Sequence, residues 1–231
     1  MHASLRAVGA DAETMIDGLI EAVGADGLVV VPTFTYDTPG FDPAITPSRT
    51  GALSEALRTR PDAVRSAHHS HSVAAVGRGA AALCAGHDLL AATDIDSPLD
   101  RLAMTGGLVV LIGVGHVANT TIHVGEFRAA ASYLAIPFDP DWPTGGDDRF
   151  AGCSRAFGRL EAPLRERRVI RDGRVGRAVT QVMPGRAVIE ETVALLRASP
   201  LGFLCTDARC YRCSLSRLRG ERDRGAEADR D

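Results

Sequence analysis

Three groups of residues in this chain have the types and spacing for chemistry. The first is Asn119-Thr120-Thr121-Ile122-His123-Val124-Gly125-Glu126, which follows the apolar run Leu108 to Val114 and its flanking Gly113 and Gly115. The pattern reads strand, tight loop, helix start, and it sets an imidazole and a carboxylate three residues apart on one face of the first helical turn. The positive end of the helix dipole disfavours an imidazolium there, and a neutral imidazole is what a general base needs at neutral pH. A carboxylate at i+3 can orient that ring or raise its basicity. The bland alternative is a surface helix with an incidental His and Glu.

The second group is His68-His69-Ser70-His71-Ser72. Paired imidazoles at such spacing can chelate a transition metal, line a polar pocket or sit in a solvated loop. The third is Cys205-x4-Cys210-x2-Cys213, whose thiolates suit Zn²⁺. A closed site needs a fourth ligand; Cys153 is the best candidate and a histidine the next. Three reduced thiols in a helical tail are the alternative, and Cys84 reads as core. Gly106-Gly107 and Gly113-Val114-Gly115 do not form a dinucleotide-binding fingerprint, and Ser154 is not in a nucleophile elbow.

The elements that must position these groups alternate between helical and extended patterns. A helix is expected over Asp11 to Val23, a buried strand over Leu28 to Val31, and a long loop over Thr33 to Arg49. A short helix over Gly51 to Arg60, a strand over Ser72 to Val76 and a helix over Gly79 to Ala85 follow. Ser97-Pro98 opens another helix. Leu108 to Ile112 is the clearest central strand, and the helix capped by Asn119 or Thr120 is expected to run to about Ser132. Beyond it come a strand over Tyr133 to Phe138, a loop from Pro140 to Gly152 and a helix over Arg155 to Arg168. A hairpin over Val169 to Val182 pivots on Asp172-Gly173, and a helix covers Ala187 to Ala198. No strand is expected ahead of the first helix. Residues 1–213 read as one α/β domain, and 214–231, mostly charged and small, as a disordered tail.

Composition narrows the class. The chain has 231 residues, is 45% hydrophobic and carries a net charge of −3, with no basic excess to bind nucleic acid. All 26 basic residues are Arg, which excludes a P-loop lysine, a Schiff-base lysine and a lysine general base. No signal-peptide core or membrane span is evident, so a cytoplasmic protein without membrane partners is expected. The five cysteines then point to thiols or metal rather than disulfides.

Taken together the motifs resemble the aminoglycoside 3-N-acetyltransferase (antibiotic N-acetyltransferase) family, which is distinct from the GNAT fold. The carrying segments are Met1-His2-Ala3-Ser4-Leu5, Val29 to Tyr36, Arg65-Ser66 through His71 to Gly77, Ser97-Pro98-Leu99 with Arg101-Leu102, the glycine-flanked strand, and Thr120-x-x-His123-x-x-Glu126. They occur in family order and cover most of the chain. The resemblance implies an α/β/α sandwich around a mixed sheet, acetyl-CoA as donor and a small-molecule amine as acceptor. Ser4 and Leu5 match the family loop near the CoA phosphates. Ser72, Val73 and Ala74 match a second loop near CoA, and His123 and Glu126 match the His and Glu of the helix motif. Asp37, at a strand-end segment, and His71 are the candidates for the acceptor; Asp94, Asp96, Asp147 and Asp148 read as turn residues. The chain starts inside the first family loop, so a family helix and strand are expected to be missing and a sheet edge exposed. The Cys-rich end marks a subset of the family. Two rival readings are a zinc-stabilised binding protein without catalysis and a metal-dependent hydrolase built on His68, His71 and His123.

Overall fold

The computed structural model describes residues 1–36, 38–89, 92–134, 153–214 and 216–218. The expected loop over Pro140 to Gly152, the tail from Gly220, Asp37, Asp147 and Asp148 lie outside them.

The strands are β1 (His2–Ala3), β2 (Leu28–Pro32), β3 (Val64–Arg65), β4 (Val73–Gly77), β5 (Leu108–Ile112), β6 (Arg171–Val175) and β7 (Ala178–Pro184). They form a mixed sheet ordered β1-β5-β7-β6 and a smaller sheet ordered β2-β4-β3. β1 runs parallel to β5, and β5, β7 and β6 alternate antiparallel. The two sheets meet where the Met1 nitrogen donates to the Val30 carbonyl at 2.8 Å. A strand therefore does precede the first helix, contrary to expectation. It pairs on one side with β5 and bonds on the other toward β2, so it is not an exposed edge. His2-Ala3 is too short for an alternating pattern to announce it.

Helices cover both faces, as an α/β/α sandwich requires. α1 (Leu5–Val8), α2 (Ala12–Val23) and α3 (Ala52–Arg58) pack Val8, Met15, Ile16, Leu53 and Leu57 against Val29, Val31, Ala74, Val76 and Ile112. On the other face are α4 (Ala80–Cys84), α5 (Pro98–Met104), α6 (Thr121–Arg128), α7 (Glu161–Glu166) and α8 (Gly185–Ala198). There Ile122, Phe157, Leu160, Leu164, Val188 and Leu196 meet Val109, Leu111 and Met183. Strand residues thus feed the two cores alternately.

Four expectations about element bounds fail for local reasons. α6 stops at Arg128 because Ala130 takes a left-handed backbone, φ 48°. Of the expected strand over Tyr133 to Phe138, Tyr133 and Leu134 lie in a 3₁₀ turn, Ser132–Leu134, and 135–138 lie outside the described residues. The hairpin pivots on Gly176-Arg177, not Asp172-Gly173: Val175 pairs directly with Ala178, and Gly176 sits at φ 55°. A side chain at Gly176 would meet the Val8 carbonyl, an approach glycine alone permits. The expected helix over 155–168 is a 3₁₀ stretch, Ser154–Leu160, followed by α7. Pro163 cannot donate to the preceding turn, so α-helical bonding starts around it.

α6 is held from two sides. Arg128 makes a bidentate pair with the buried Asp100 of α5, at 2.6 and 2.9 Å. Gly125 lets α8 approach so closely that a Cβ there would fall 2.4 Å from Thr192 Cβ. We expect Gly125→Ala to lower unfolding free energy by up to about 2 kcal/mol, the ~1–3 kcal/mol overpacking cost less the ~1 kcal/mol helix preference for alanine. Turnover should fall with it. Urea denaturation and a rate assay check this; an unchanged midpoint would show that α6 and α8 can part freely.

Candidate active site

β5 ends at Ile112, Gly113 turns the chain at φ 65°, a 3₁₀ turn follows at His116–Ala118, and α6 begins at Thr121. This places His123 and Glu126 at the carboxyl end of a central strand. His123 Nδ1 lies 2.5 Å from Glu126 Oε2, with the residues 5% and 1% exposed. The Phe157 ring packs edge-on against the imidazole, 4.6 Å between centroids. On the other carboxylate oxygen, Tyr133 donates its hydroxyl to Glu126 Oε1 at 2.6 Å. Sequence reasoning missed Tyr133; its one available signal was an aromatic seven residues beyond Glu126.

His71 faces the same region. Its ring packs against Phe34 at 4.7 Å and Tyr36 at 5.8 Å, and its Nδ1 lies 2.8 Å from Ser70 Oγ. Burial, then the nearby His68, His123 and Arg212, hold its pKa well below the ordinary imidazole value. Burial raises the Tyr36 pKa, with Arg212 opposing. Arg212 was not foreseen; it lies between Cys210 and Cys213, so the cysteine turn brings a cation toward Tyr36 and His71.

His68 and its neighbour in space His87 have scaffolding roles. His68 Nδ1 accepts from the backbone N–H of Ser70 and of His71, at 3.3 and 3.1 Å. His87 bonds Ser66 Oγ through Nδ1 and donates from Nε2 to the Ala92 carbonyl, at 2.9 and 3.0 Å. His68, His71 and His123 do not form a ligand set. Among the described residues the one group of three or more clustered His, Cys, Asp or Glu ligands is the four cysteines. The hydrolase reading therefore loses its geometric basis.

These buried imidazoles set a pH dependence. Burial lowers His68 to about 3, with His87 and His69 adding to it, and burial likewise lowers His87 and His116. The unfolded chain takes up protons near pH 6.5 that the native state refuses. Their stabilisation is full above that pH and is lost as pH falls from there toward 3. We expect Tm to drop between pH 7.5 and pH 5, above the range where most carboxylates titrate. A flat Tm across that interval would contradict it.

Cys153, Cys205, Cys210 and Cys213 bring their sulfurs within 4.8 Å of one another. Cys153 and Cys210 lie 3.8 Å apart, about the ~3.8 Å edge of a tetrahedron with ~2.3 Å Zn–S bonds. Burial pushes Cys210 up, but the Cys213 backbone N–H and the surrounding thiols outweigh it and draw the thiol down to about 7. The Cys205 N–H in turn points at Cys213 Sγ, 3.3 Å away. The donor set fits a structural zinc, with Cys153 as the fourth ligand.

The residues expected near a CoA carrier lie around β1. Leu5 lines a cavity of about 340 Å³ with Met1, His2, Ala3, Pro32, Thr50 to Ser54, Val114 and Ala118. Ser4 caps α1, accepting from the Ala7 N–H, and is not itself part of the lining. The Ser72 hydroxyl donates to the Thr33 carbonyl and also bonds Arg65 Nε. Val73 and Ala74 are buried on opposite faces of β4. Val73 pairs with Pro32, which ties this strand to the cavity wall. Asp94 accepts from the Ile95 N–H and Asp96 pairs with Arg101, as turn residues do.

An α/β/α sandwich with an imidazole–carboxylate pair in a strand-to-helix loop is an enzyme architecture. A family model described as aminoglycoside 3-N-acetyltransferase matches residues 1–197, and the chain belongs to that family of acyltransferases. Aminoglycoside N(3)-acetyltransferase IV of Salmonella sp is 30% identical over 199 residues, 82% of this chain and 76% of the relative. Aminoglycoside N(3)-acetyltransferase VII of Streptomyces paromomycinus is 36% identical over 155 residues, 56% of this chain and 54% of the relative. Among solved structures, aminoglycoside acetyltransferase AAC(3)-IVa as apoenzyme superposes with TM-score 0.81 at 28% identity, covering 94% of this chain and 89% of that one. A mutant of AAC(3)-IVa in complex with a gentamicin gives TM-score 0.83 at 28% identity, covering 94% and 88%. No helix among the described residues is long and apolar enough to cross a membrane.

Proposed function

We propose that this chain moves an acetyl group from acetyl-CoA to a primary amine of an aminoglycoside, in the cytoplasm, and so confers resistance. The observation that carries this reading is the buried His123–Glu126 pair. With Nδ1–H directed at the carboxylate, the neutral ring holds its lone pair on Nε2. That nitrogen takes a proton from the acceptor ammonium or amine as the amine nitrogen bonds to the thioester carbonyl carbon. Backbone N–H groups of the strand-to-helix loop hold the oxyanion. The C–S bond then breaks, CoA thiolate leaves, and the proton passes to it or to water; no acyl-enzyme forms. The membership in an acetyltransferase family and the gentamicin complex of AAC(3)-IVa support donor and acceptor.

The cavity beside Leu5 is the candidate channel for the carrier arm, with Ser4 and the Ser72 to Ala74 strand flanking it. His71 and Tyr36 form the acceptor wall nearest the base, with Asp37 adjoining in sequence. Zinc held by Cys153, Cys205, Cys210 and Cys213 is structural in this reading, and no step of acetyl transfer passes through it. The test is thiol release from acetyl-CoA with a panel of aminoglycosides, and mass spectrometry for the acetylated sugar. Acetyl-CoA binding by calorimetry with no thiol release from any aminoglycoside would overturn the acceptor assignment. Absence of binding would overturn the donor and favour a non-catalytic binding protein.

A further inference from the structure

We infer that Tyr133 is a positioning residue for the base, the third member of a buried relay Tyr133–Glu126–His123. The inference rests on the transferase reading for its kinetic consequence but not for its geometry. Glu126 is 1% exposed and has two carboxylate oxygens to satisfy. Oε2 meets the imidazole at 2.5 Å and Oε1 accepts the Tyr133 hydroxyl at 2.6 Å. Tyr133 is itself 1% exposed. Burial, then the Glu126 charge, raise its pKa far above the ordinary phenol range, so the hydroxyl remains a donor. A carboxylate gripped at one oxygen cannot rotate about its last torsion, and its other oxygen stays aimed at Nδ1. That fixes the ring tautomer with Nε2 as the proton acceptor.

The chain geometry explains how Tyr133 arrives there. Ala130 leaves the helix with φ 48°, Ala131 N–H bonds back to the Glu126 carbonyl, and a 3₁₀ turn folds the aromatic under the catalytic helix. A tyrosine that served only to fill space would not need its oxygen on the dyad; phenylalanine would fill the same volume among Phe157, Ile122 and Leu134.

Removing the hydroxyl has a geometric consequence. It frees Glu126 Oε1, so the carboxylate can turn about its last torsion and Oε2 is no longer held toward Nδ1. Among the described residues, the charged or titratable groups that act on this region include His71 from the 66–72 segment and Arg212 and Cys213 from the C-terminal segment. Phe157 and, from α8, Thr192 present no charge. All of these persist in Tyr133→Phe, so the difference between variant and parent reports the hydroxyl.

The experiment compares the full chain with Tyr133→Phe, which keeps the ring. Nitrogen-15 NMR of the histidine rings should show His123 as the Nδ1–H tautomer in the parent and as a tautomer mixture in the variant. This reading needs no substrate. With acetyl-CoA and an accepted aminoglycoside, kcat should fall about tenfold while the amine KM stays within about twofold, as expected for a contact that acts on the base rather than on binding. Tyr133→Leu, which removes both ring and hydroxyl, should lose stability as well. Unchanged His123 resonances in Tyr133→Phe, or an unchanged kcat where turnover is measurable, would overturn the relay. Failure of the parent to turn over, with altered resonances in the variant, would instead count against the transferase reading and keep the relay.

Discussion

His123→Ala should lower kcat by about 10²–10⁴-fold while acetyl-CoA still binds, because general-base removal is worth about that much. The magnitude follows from the state of the acceptor. An aliphatic amine is mostly protonated at neutral pH, and an ammonium cannot attack a thioester. A group that removes the proton inside the complex raises the reactive fraction and carries the proton away as the N–C bond forms. His123 is placed for this at the start of α6, with Nδ1 against the Glu126 carboxylate, which is positioned to take up the positive charge as the proton is transferred. Alanine also removes a ring packed on Phe157, which adds a mechanical loss to the chemical one. His123→Asn separates the two effects. It fills most of the site, can donate to Glu126 and cannot serve as a base. Both variants should lose comparable activity, with calorimetric acetyl-CoA binding within a few fold of the parent. Glu126→Gln should fall between parent and His123→Ala. Turnover within a few fold of wild type in both His123 variants would place the base elsewhere, and His71 would be the first residue to examine.

The central strands and the dyad were legible because local chemistry fixes them. Leu108 to Ile112 is an unbroken apolar run with glycines at both ends, which reads as a central strand and is one, with Val109, Leu111 and Ile112 buried. His123 and Glu126 share a helix face at a spacing that needs no tertiary information. What the sequence hid depends on distant partners. Tyr133 in an aromatic, β-prone stretch reads as strand, yet its hydroxyl is held by a carboxylate across a helix end. β1 is a strand only because β5 supplies its parallel partner. The hairpin had two glycines that could pivot, Gly173 and Gly176, and the deciding factor was the Val8 carbonyl lying against Gly176. Ser72 matched a carrier-binding loop by motif, but its hydroxyl bonds Thr33 and Arg65. The histidine run illustrates the same limit: spacing admitted a metal, while backbone N–H groups take up His68 Nδ1.

Loss of the cysteine centre should be the most damaging structural change. About one zinc per chain is expected by mass spectrometry, retained in His71→Ala and lost in Cys210→Ala. Cys205, Cys210 and Cys213 lie beyond residue 197, where the family match ends, and Cys153 lies within it. A metal held there would clip the C-terminal segment to the domain across a separation of more than 50 residues. That segment carries Phe203 and Leu204, both buried, and Phe203 packs on Phe157, which packs on His123. Without metal the sulfurs are crowded at a distance suited to ligands, and burial pushes Cys213 above the ordinary thiol range while Cys210 ionises near neutrality. Metal binding would release the remaining protons and convert this crowding into bonds. Structural zinc in small sites contributes on the order of 10 kcal/mol. Even half of that would lower Tm by roughly 10–20 °C in a domain of this size. Cys210→Ala, or a strong chelator, should produce that drop and reduce turnover as the Phe203–Phe157 wall loosens behind the base. A Tm unmoved by chelator in protein shown to be zinc-free would mean that apolar packing alone holds the segment, and the four thiols would then be a reduced core cluster.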